Sequence, residues 1–138
     1  MSKSSFQFSQ PLLTYSKFEM ASPDTEYNDN ISINIGRNII KAQEKKEALV
    51  ELTVELNKKG DIIDEKSIFN AEFRMQALFT WDDSLQQEQA DKMLELNAPA
   101  LLLSYIRPLI ATITAASPLP EYNIPFINMY ELFKEDSK

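Results

Sequence analysis

The sequence predicts an α+β fold in which a four-stranded antiparallel sheet, arranged as a meander, is followed by helices. Residues 6–81 alternate between apolar and polar side chains, which is typical of half-buried strands. No helical period interrupts these strands, so nothing indicates the crossover that parallel pairing needs. Residues 98–117 then form a helix that is apolar on nearly every side, and such a helix must be buried on more than one side.

The first half of the sheet is expected to be irregular. Residues 6–20 alternate with a slip in phase and contain Pro11, which predicts a long, bent edge strand. Residues 21–30 are rich in Asp, Asn, Ser and Pro and therefore predict a loop. A short second strand begins at Ile31 and ends near Gly36 or just beyond it.

The second half of the sheet alternates more regularly. Residues 48–56 place Ala, Val and Leu on one face and Glu and Thr on the other. Residues 57–61 form a turn around Gly60. Residues 66–81 make the fourth strand, with Phe73, Phe79 and Trp81 on its inner face.

The helices begin after Asp82. Ser84 and Gln87 form a capping-box pattern that predicts a lid helix over about residues 85–96, and its few apolar side chains favour a surface position. A long helix then covers about residues 98–117, with Pro99 in its first turn and Pro108 bending it. A closing segment occupies residues 118–133, and the whole chain, 1–138, is expected to be a single domain.

Composition excludes several classes of function. The net charge is −7, with 21 acidic and 14 basic residues, which disfavours binding to nucleic acid or anionic membranes and favours basic partners. The chain has no His and no Cys, so it lacks a thiolate nucleophile, the usual general base and the common zinc ligands. We expect no cofactor, no metal site and no catalytic residue, although an enzyme built on carboxylates remains the least favoured alternative.

The apolar helix could also be a membrane span, because residues 98–116 are nearly long enough to cross a bilayer. However, Arg107 lies at the centre of this stretch, and a central Arg costs about 2.5–3.5 kcal/mol on insertion. The N-terminus lacks the apolar core of a signal peptide. We therefore expect a cytoplasmic protein without membrane insertion.

A helix this apolar exceeds what one small sheet can cover, so we expect a second copy of the chain to cover the rest. Arg107 would then form a structural ion pair across the subunit interface. The predicted oligomer interface consists of Leu102, Tyr105, Ile106, Leu109 and Ile113.

Aromatic side chains gather around the end of the fourth strand and the closing segment, beside the lid helix. Such a border could form a groove for apolar peptide segments. The candidate client-binding residues are Phe79, Trp81, Leu85, Met93, Leu94, Leu96, Tyr122, Ile124, Phe126, Tyr130 and Phe133.

Particular motifs resemble the SecB family of export chaperones. They are Phe18-Glu19-Met20-Ala21-Ser22-Pro23 at the end of the first strand, PALLLSYIRPLI from Pro99, and LPEYNIPFINMYELF from Leu119. The order of four strands followed by helices also matches, so the similarity covers most of the chain.

The resemblance implies a dimer of dimers with its helices sandwiched between sheets, and it implies no enzymatic activity. It implies an ATP-independent holdase that binds unfolded or aggregation-prone polypeptides in apolar grooves, for protein export. In the family the partner is the SecA motor, which meets acidic positions on the outer face of the sheet. Glu19 and Glu72 occupy matching places.

Departures from the family pattern keep alternatives open. Tyr15 replaces another acidic position, Asn70 replaces an apolar neighbour of Glu72, Ser104 replaces a mid-helix Pro, and Gln76-Ala77-Leu78 replaces a glycine-rich strand end. A chaperone dedicated to the antitoxin of a toxin–antitoxin system is therefore an alternative. A structural oligomerisation module or a carrier of apolar ligands is the alternative from another class.

Overall fold

The computed structural model describes residues 5–20 and 30–134, so most of the loop predicted at 21–30 lies outside the described residues. The strands and helices, in chain order, are β1 (Phe6–Phe8), β2 (Leu12–Met20), β3 (Ile33–Lys41), β4 (Glu47–Leu56), β5 (Lys58–Lys59), β6 (Ile62–Ile63), β7 (Phe69–Trp81), α1 (Gln87–Lys92), a π-helical segment (Met93–Asn97), α2 (Ala98–Ala115) and α3 (Met129–Leu132).

The main sheet is antiparallel and runs in the order β1/β2–β7–β4–β3. The strands β1 and β2 both pair with β7, and together they make one edge that is interrupted at residues 9–11 and shifts in register between Leu13 and Tyr15. This is the long, bent edge strand that the phase slip and Pro11 predict. The α+β class and the antiparallel sheet are confirmed.

The strand order corrects the predicted meander. The strands β3, β4 and β7 are neighbours in sequence and in space, but the first strand lies beside β7 rather than beside β3, which is a Greek-key order. Along β7 the inward side chains are buried from Phe69 to Trp81, so this strand takes the centre of the sheet with a neighbour on each side. Alternation within a strand shows which face is buried but not which strand lies next to it.

One sheet face and one helix form the core. On the inner face β4 buries Val50, Leu52 and Val54, and β7 buries Phe73 and Phe79. The helix α2 packs on these two strands, and its residues Leu102, Ile106 and Ile110 belong to the same buried cluster. The two helix residues Leu102 and Ile106, predicted at the oligomer interface, therefore lie inside the single chain, because the helix turns this apolar stripe towards its own sheet.

The predicted lid helix and the predicted long helix are continuous, which corrects their separation. Gln86 and Gln89, not Ser84 and Gln87, form the capping box, and the helix then passes through the π-helical segment into α2 without a break at Asn97. Ala90 and Leu94 are fully buried, so this part of the helix is not a surface lid. The few apolar residues of this part lie on one side of the helix, and that side faces the core.

Together these elements form a helix, Gln87–Ala115, that is long and apolar enough to cross a membrane by length and composition alone. The core helix of a globular protein meets the same criteria, and here the buried stripe of α2 is packed against the sheet.

The closing segment covers a second side of α2. After the helix ends, the backbone N–H of Tyr122 donates to Thr114 Oγ1 at 2.8 Å, and the chain runs back until α3 contacts the π-helical segment. Leu119, Ile124 and Met129 are buried on the way. The chain thus supplies part of the cover that the sequence analysis assigned to a second copy.

Candidate functional site

An open apolar groove of about 420 Å³ lies between β1 and the start of α2. It is lined by Phe6, Phe8, Phe79, Asn97, Ala100 and Leu101. The ring centroids of Phe6 and Phe8 lie 5.6 and 6.1 Å from that of Phe79, so three aromatic rings stand side by side along the groove. This volume and this lining are typical of a site that binds apolar groups.

The short strand β1, at the start of the sheet edge, forms one wall of the groove. Phe6 and Phe8 lie opposite Trp81 and Phe79 on the inner face of the sheet, where β1 is held by its pairing with β7. The edge then breaks at residues 9–11, and Phe8 remains 43% exposed. An aromatic side chain this exposed on the inner face is a contact surface that residues 5–20 and 30–134 leave open.

Two further depressions lie on the other side of α2, against the closing segment. One of about 330 Å³ is lined by Ser104, Arg107, Pro108, Asn123 and Ile124. The other, of about 200 Å³, is lined by Ala100, Leu103, Ser104, Arg107, Phe126 and Ile127. Ala100 borders both this depression and the aromatic groove, so the two lie on neighbouring sides of the helix.

The structure brings only some of the predicted client-binding residues to these surfaces. Phe79 lines the aromatic groove, and Ile124 and Phe126 line the depressions beside the closing segment. Phe126 and Tyr130 are exposed, whereas Trp81, Leu94, Ile124 and Phe133 are buried in the core. The others, Leu85, Met93, Leu96 and Tyr122, are half-buried.

Sequence reasoning missed the other side of the groove: Phe6, Phe8, Ala100 and Leu101. The signal was available in part, because Phe6 and Phe8 share one face of the edge strand. The pairing of β1 with β7 brings them to Phe79, and strand alternation does not predict that pairing.

On the outer face of the sheet, Glu72 is not part of an exposed acidic surface, which corrects its predicted setting. Glu72 is 5% exposed, and its carboxylate lies 2.8 Å from Lys58 Nζ and 2.6 Å from Arg74 Nη2. Burial alone would raise the pKa of Glu72, but the hydrogen bonds from Lys58 and Arg74 outweigh it and keep this pKa below its usual range. The Arg74 guanidinium also lies 4.7 Å from the centre of the Tyr15 ring.

The other residue of the predicted motor-docking surface, Glu19, remains accessible. Its side chain is 56% exposed and lies 3.8 Å from Lys17 Nζ. Lys17 lies opposite Glu72 in the pairing of β2 with β7, and Glu19 lies opposite Asn70. On the other side of Glu72, Glu55 of β4 is its partner in register. The charges of Lys58 and Arg74 compensate that of Glu72, so Glu72 itself adds little negative potential to this face.

The remaining residues of the predicted oligomer interface are exposed or half-buried on α2. Tyr105 is exposed, and Leu109 and Ile113 are half-buried. Arg107 is exposed beside the closing segment. This accessible side of α2 is the part that a second copy could cover.

Comparisons with known proteins agree with the fold. The family profile described as preprotein translocase subunit SecB matches residues 12–138. The protein-export protein SecB of Anaplasma phagocytophilum is 24% identical over 113 residues, which cover 77% of this chain and 71% of that protein. A SecB-like chaperone of Mycobacterium tuberculosis, solved in complex with a ChAD peptide from an antitoxin, superposes with a TM-score of 0.67 at 15% identity, covering 88% of this chain and 87% of that one. The SecB family is a family of chaperones rather than of enzymes, and this chain belongs to it.

Proposed function

We propose that this protein is an ATP-independent holdase of the cytoplasm, which binds unfolded or aggregation-prone polypeptides in apolar grooves. The observation that carries the proposal is the open groove in which Phe6, Phe8 and Phe79 stand side by side in a member of a chaperone family. The groove offers apolar surface and few polar groups, so it selects for apolar side chains rather than for a particular sequence. We further propose that residues 1–138 act as one domain, because the sheet, α2 and the closing segment share one core.

The energetics of such a groove require no cofactor. Each large apolar side chain transferred from water contributes about 1.5–3 kcal/mol. Three such contacts sum to about 4.5–9 kcal/mol, and the cost of association, about 4–15 kcal/mol, offsets much of this gain. A single groove therefore binds its client weakly and reversibly. Joining several grooves in one assembly would raise the affinity for a long client without any new kind of contact. We therefore propose that the chain works as a homo-oligomer, a dimer or a dimer of dimers.

Protein export is the first candidate for the cellular task, because the curated relative in Anaplasma phagocytophilum is a protein-export protein. In that case SecA would be the partner, and Glu19 would be the accessible carboxylate that meets it.

An antitoxin-dedicated chaperone is the second candidate. One specific observation favours it: Glu72 is buried between Lys58 and Arg74, so this carboxylate is not free to meet a motor protein. The SecB-like chaperone from Mycobacterium tuberculosis with a similar fold binds an antitoxin peptide. An aggregation-prone antitoxin would then be the client.

A structural oligomerisation module and a carrier of small apolar ligands are less favoured. A carrier needs an enclosed cavity, and the aromatic groove is open to solvent. A purely structural module has no use for an open groove, whereas the aromatic groove here is open.

Light scattering of a chemically denatured client tests the proposal. When the client is diluted into buffer without ATP, one subunit equivalent of this protein should suppress its aggregation. Unchanged aggregation would contradict a general holdase. Parallel measurements with several clients separate the two tasks, because a dedicated chaperone should bind one antitoxin peptide tightly and the other clients weakly.

A further inference from the structure

We propose that Arg107 and the two depressions beside it bind a client segment in which an acidic side chain lies next to a large apolar one. The depressions, of about 330 and 200 Å³, share Ser104 and Arg107 in their lining, and together they are called the Arg107 site. The inference rests on the proposed holdase function and deepens it, because it adds selection for a carboxylate to surfaces that otherwise attract any apolar chain.

Arg107 is a cation without a partner in the single chain. Its side chain is exposed, and within residues 5–20 and 30–134 it forms no ion pair, hydrogen bond or ring contact. Glu121 of the closing segment accepts a hydrogen bond from Asn123 Nδ2 at 3.1 Å and not from Arg107. The guanidinium therefore keeps its N–H donors free, in the planar fork that matches a carboxylate.

The helix supplies a hydrogen-bond acceptor next to this cation. Pro108 lies inside α2 and has no N–H, so the carbonyl of Ser104 lacks the donor that a regular helix provides. Ser104, Arg107 and Pro108 line the same depression. An acidic residue of a client complements both groups, because its backbone N–H can donate to the carbonyl while its carboxylate accepts from the guanidinium.

The neighbouring depression supplies the apolar half of the site. Its lining includes Ala100, Leu103, Phe126 and Ile127. Phe126 is 86% exposed, so most of its ring is available to a large apolar side chain of the client. Because both depressions share Arg107, a segment that passes through them has residues on either side of the one at the guanidinium. This arrangement favours an internal Asp or Glu over a terminal carboxylate.

A client fits the Arg107 site better than a second copy of the chain does. Successive residues of an α-helix are rotated by about 100°, so Arg107 and Tyr105 point to nearly opposite sides of α2. A copy that covers exposed Tyr105, in the predicted oligomer interface, therefore leaves the Arg107 site open. Moreover, α2 contains no Asp or Glu, so packing of two α2 helices offers Arg107 no carboxylate.

The charge of the whole chain strengthens the selection. The net charge of −7 disfavours acidic segments over much of the surface. A client carboxylate is therefore stabilised at Arg107 and disfavoured at most other positions, which fixes the register of the bound segment.

Binding of four unstructured, fluorescein-labelled peptides, measured by fluorescence anisotropy, tests the proposal. Three have an amidated C-terminus and differ only in the residue next to a central Phe, which is Asp, Asn or Lys. The fourth is the Asn peptide with a free C-terminal carboxylate. We expect the wild type to bind the Asp peptide about fivefold more tightly than the Asn peptide, and the fourth peptide like the Asn peptide.

Variants of Arg107 should change this preference in a defined direction. Arg107→Gln should bind the Asp and Asn peptides equally, whereas Arg107→Glu should favour the Lys peptide over the Asn peptide more strongly than the wild type does. The matched controls are Lys92→Gln and Lys92→Glu, which change the net charge equally at an exposed position of α1 outside the depressions. Both controls should keep the wild-type preference for Asp.

Several outcomes would overturn the Arg107 site. They are an Asp preference that persists in Arg107→Gln, an equal loss of it in Lys92→Gln, and binding of the fourth peptide as tight as that of the Asp peptide. A lower mass of Arg107→Glu in sedimentation would assign Arg107 to a subunit interface and also overturn the proposal. Equal binding of all four peptides to the wild type would overturn the site and leave the holdase intact, whereas no binding of any peptide would overturn both.

Discussion

Arg37 donates a hydrogen bond from its guanidinium Nη1 to the backbone carbonyl of Glu95, in the middle of the π-helical segment. In a regular α-helix, this carbonyl would accept a hydrogen bond from the N–H of the residue four positions later. That residue is Pro99, which has no N–H. The same guanidinium lies 4.0 Å from the centre of the Phe133 ring. One side chain of β3 thus contacts both the π-helical segment and the closing segment.

Replacing Arg37 with Ala should destabilise the fold. Hydrogen bonds to charged groups contribute about 1.5–3 kcal/mol, and a partly exposed cation–π contact about 0.5–1 kcal/mol. We expect the free energy of unfolding in urea to fall by about 2 kcal/mol. The control is Lys92→Ala, which removes an exposed cation from α1 and should change the stability by less than about 0.5 kcal/mol. Equal losses in the two variants would contradict the role assigned to Arg37.

A double-mutant cycle with Pro99 tests the reason for that contact. Pro99→Ala restores an N–H that can donate to the Glu95 carbonyl, so Arg37 is no longer its necessary donor. The cost of Arg37→Ala should therefore be smaller in the Pro99→Ala background, with a coupling energy of about 0.5–1.5 kcal/mol. Additive effects, measured by urea denaturation, would show that Arg37 and Pro99 act independently.

Glu72 should make stability depend on pH. Lys58 and Arg74 lower the pKa of Glu72 in the folded state. Its contribution to the free energy of unfolding is therefore complete above the pKa that Glu72 has in the unfolded chain, and is lost as the pH falls through its pKa in the folded state. Glu72→Gln should lower the free energy of unfolding by about 1.5–3 kcal/mol at pH 7. The difference from the wild type should shrink below about pH 4, where an ordinary Glu becomes protonated.

The exposed carboxylate of Glu19 provides the matched control for this measurement. Its ion pair with Lys17 spans 3.8 Å in solvent, and such pairs contribute about 0–1 kcal/mol. Urea unfolding of Glu19→Gln across the same pH range should follow the wild type closely. A Glu72→Gln difference that persisted unchanged at pH 3 would contradict the lowered pKa.

The strands and the buried faces could be predicted from local pattern, but the contacts between distant segments could not. Alternation identified the inner residues of β4 and β7 because each side chain's burial depends on its own strand. It could not place β1 beside β7, since pairing partners depend on the whole sheet. For that reason Phe79 was found as a groove residue while Phe6 and Phe8 were missed.

The helix illustrates a different limit. Asn97 and Pro99 resemble the start of a new helix, and local rules favour a break there. The structure continues the helix because the π-helical segment and Arg37 accommodate the missing N–H, and Arg37 lies 58 residues away in sequence from Glu95. Similarly, the burial of Glu72 depends on Lys58, which the turn after β4 brings to its carboxylate.

The accessible side of α2 should control assembly. Tyr105 is 39% exposed in the single chain, whereas neighbouring Ile106 is fully buried in the core. In the proposed oligomer, Tyr105→Glu should lower the mass measured by sedimentation while leaving the thermal unfolding of each subunit nearly unchanged, because only an intermolecular contact gains a charge. Ile106→Asp should instead unfold the subunit. A Tyr105→Glu variant with unchanged mass would place the interface elsewhere.

Filling the aromatic groove should weaken client binding without unfolding the chain. Ala100 is an exposed residue of α2 that borders both the groove and the depression at Phe126, so Ala100→Trp adds bulk where a client side chain would lie. Loss of one buried apolar contact of about 1.5–3 kcal/mol predicts an affinity for a fluorescent unfolded peptide lower by roughly 10- to 100-fold. Ala115→Trp, at the exposed end of the same helix, is the matched control and should bind the peptide like the wild type. Sedimentation of both variants excludes an effect through assembly, and equal affinities in the two variants would show that clients bind outside this groove.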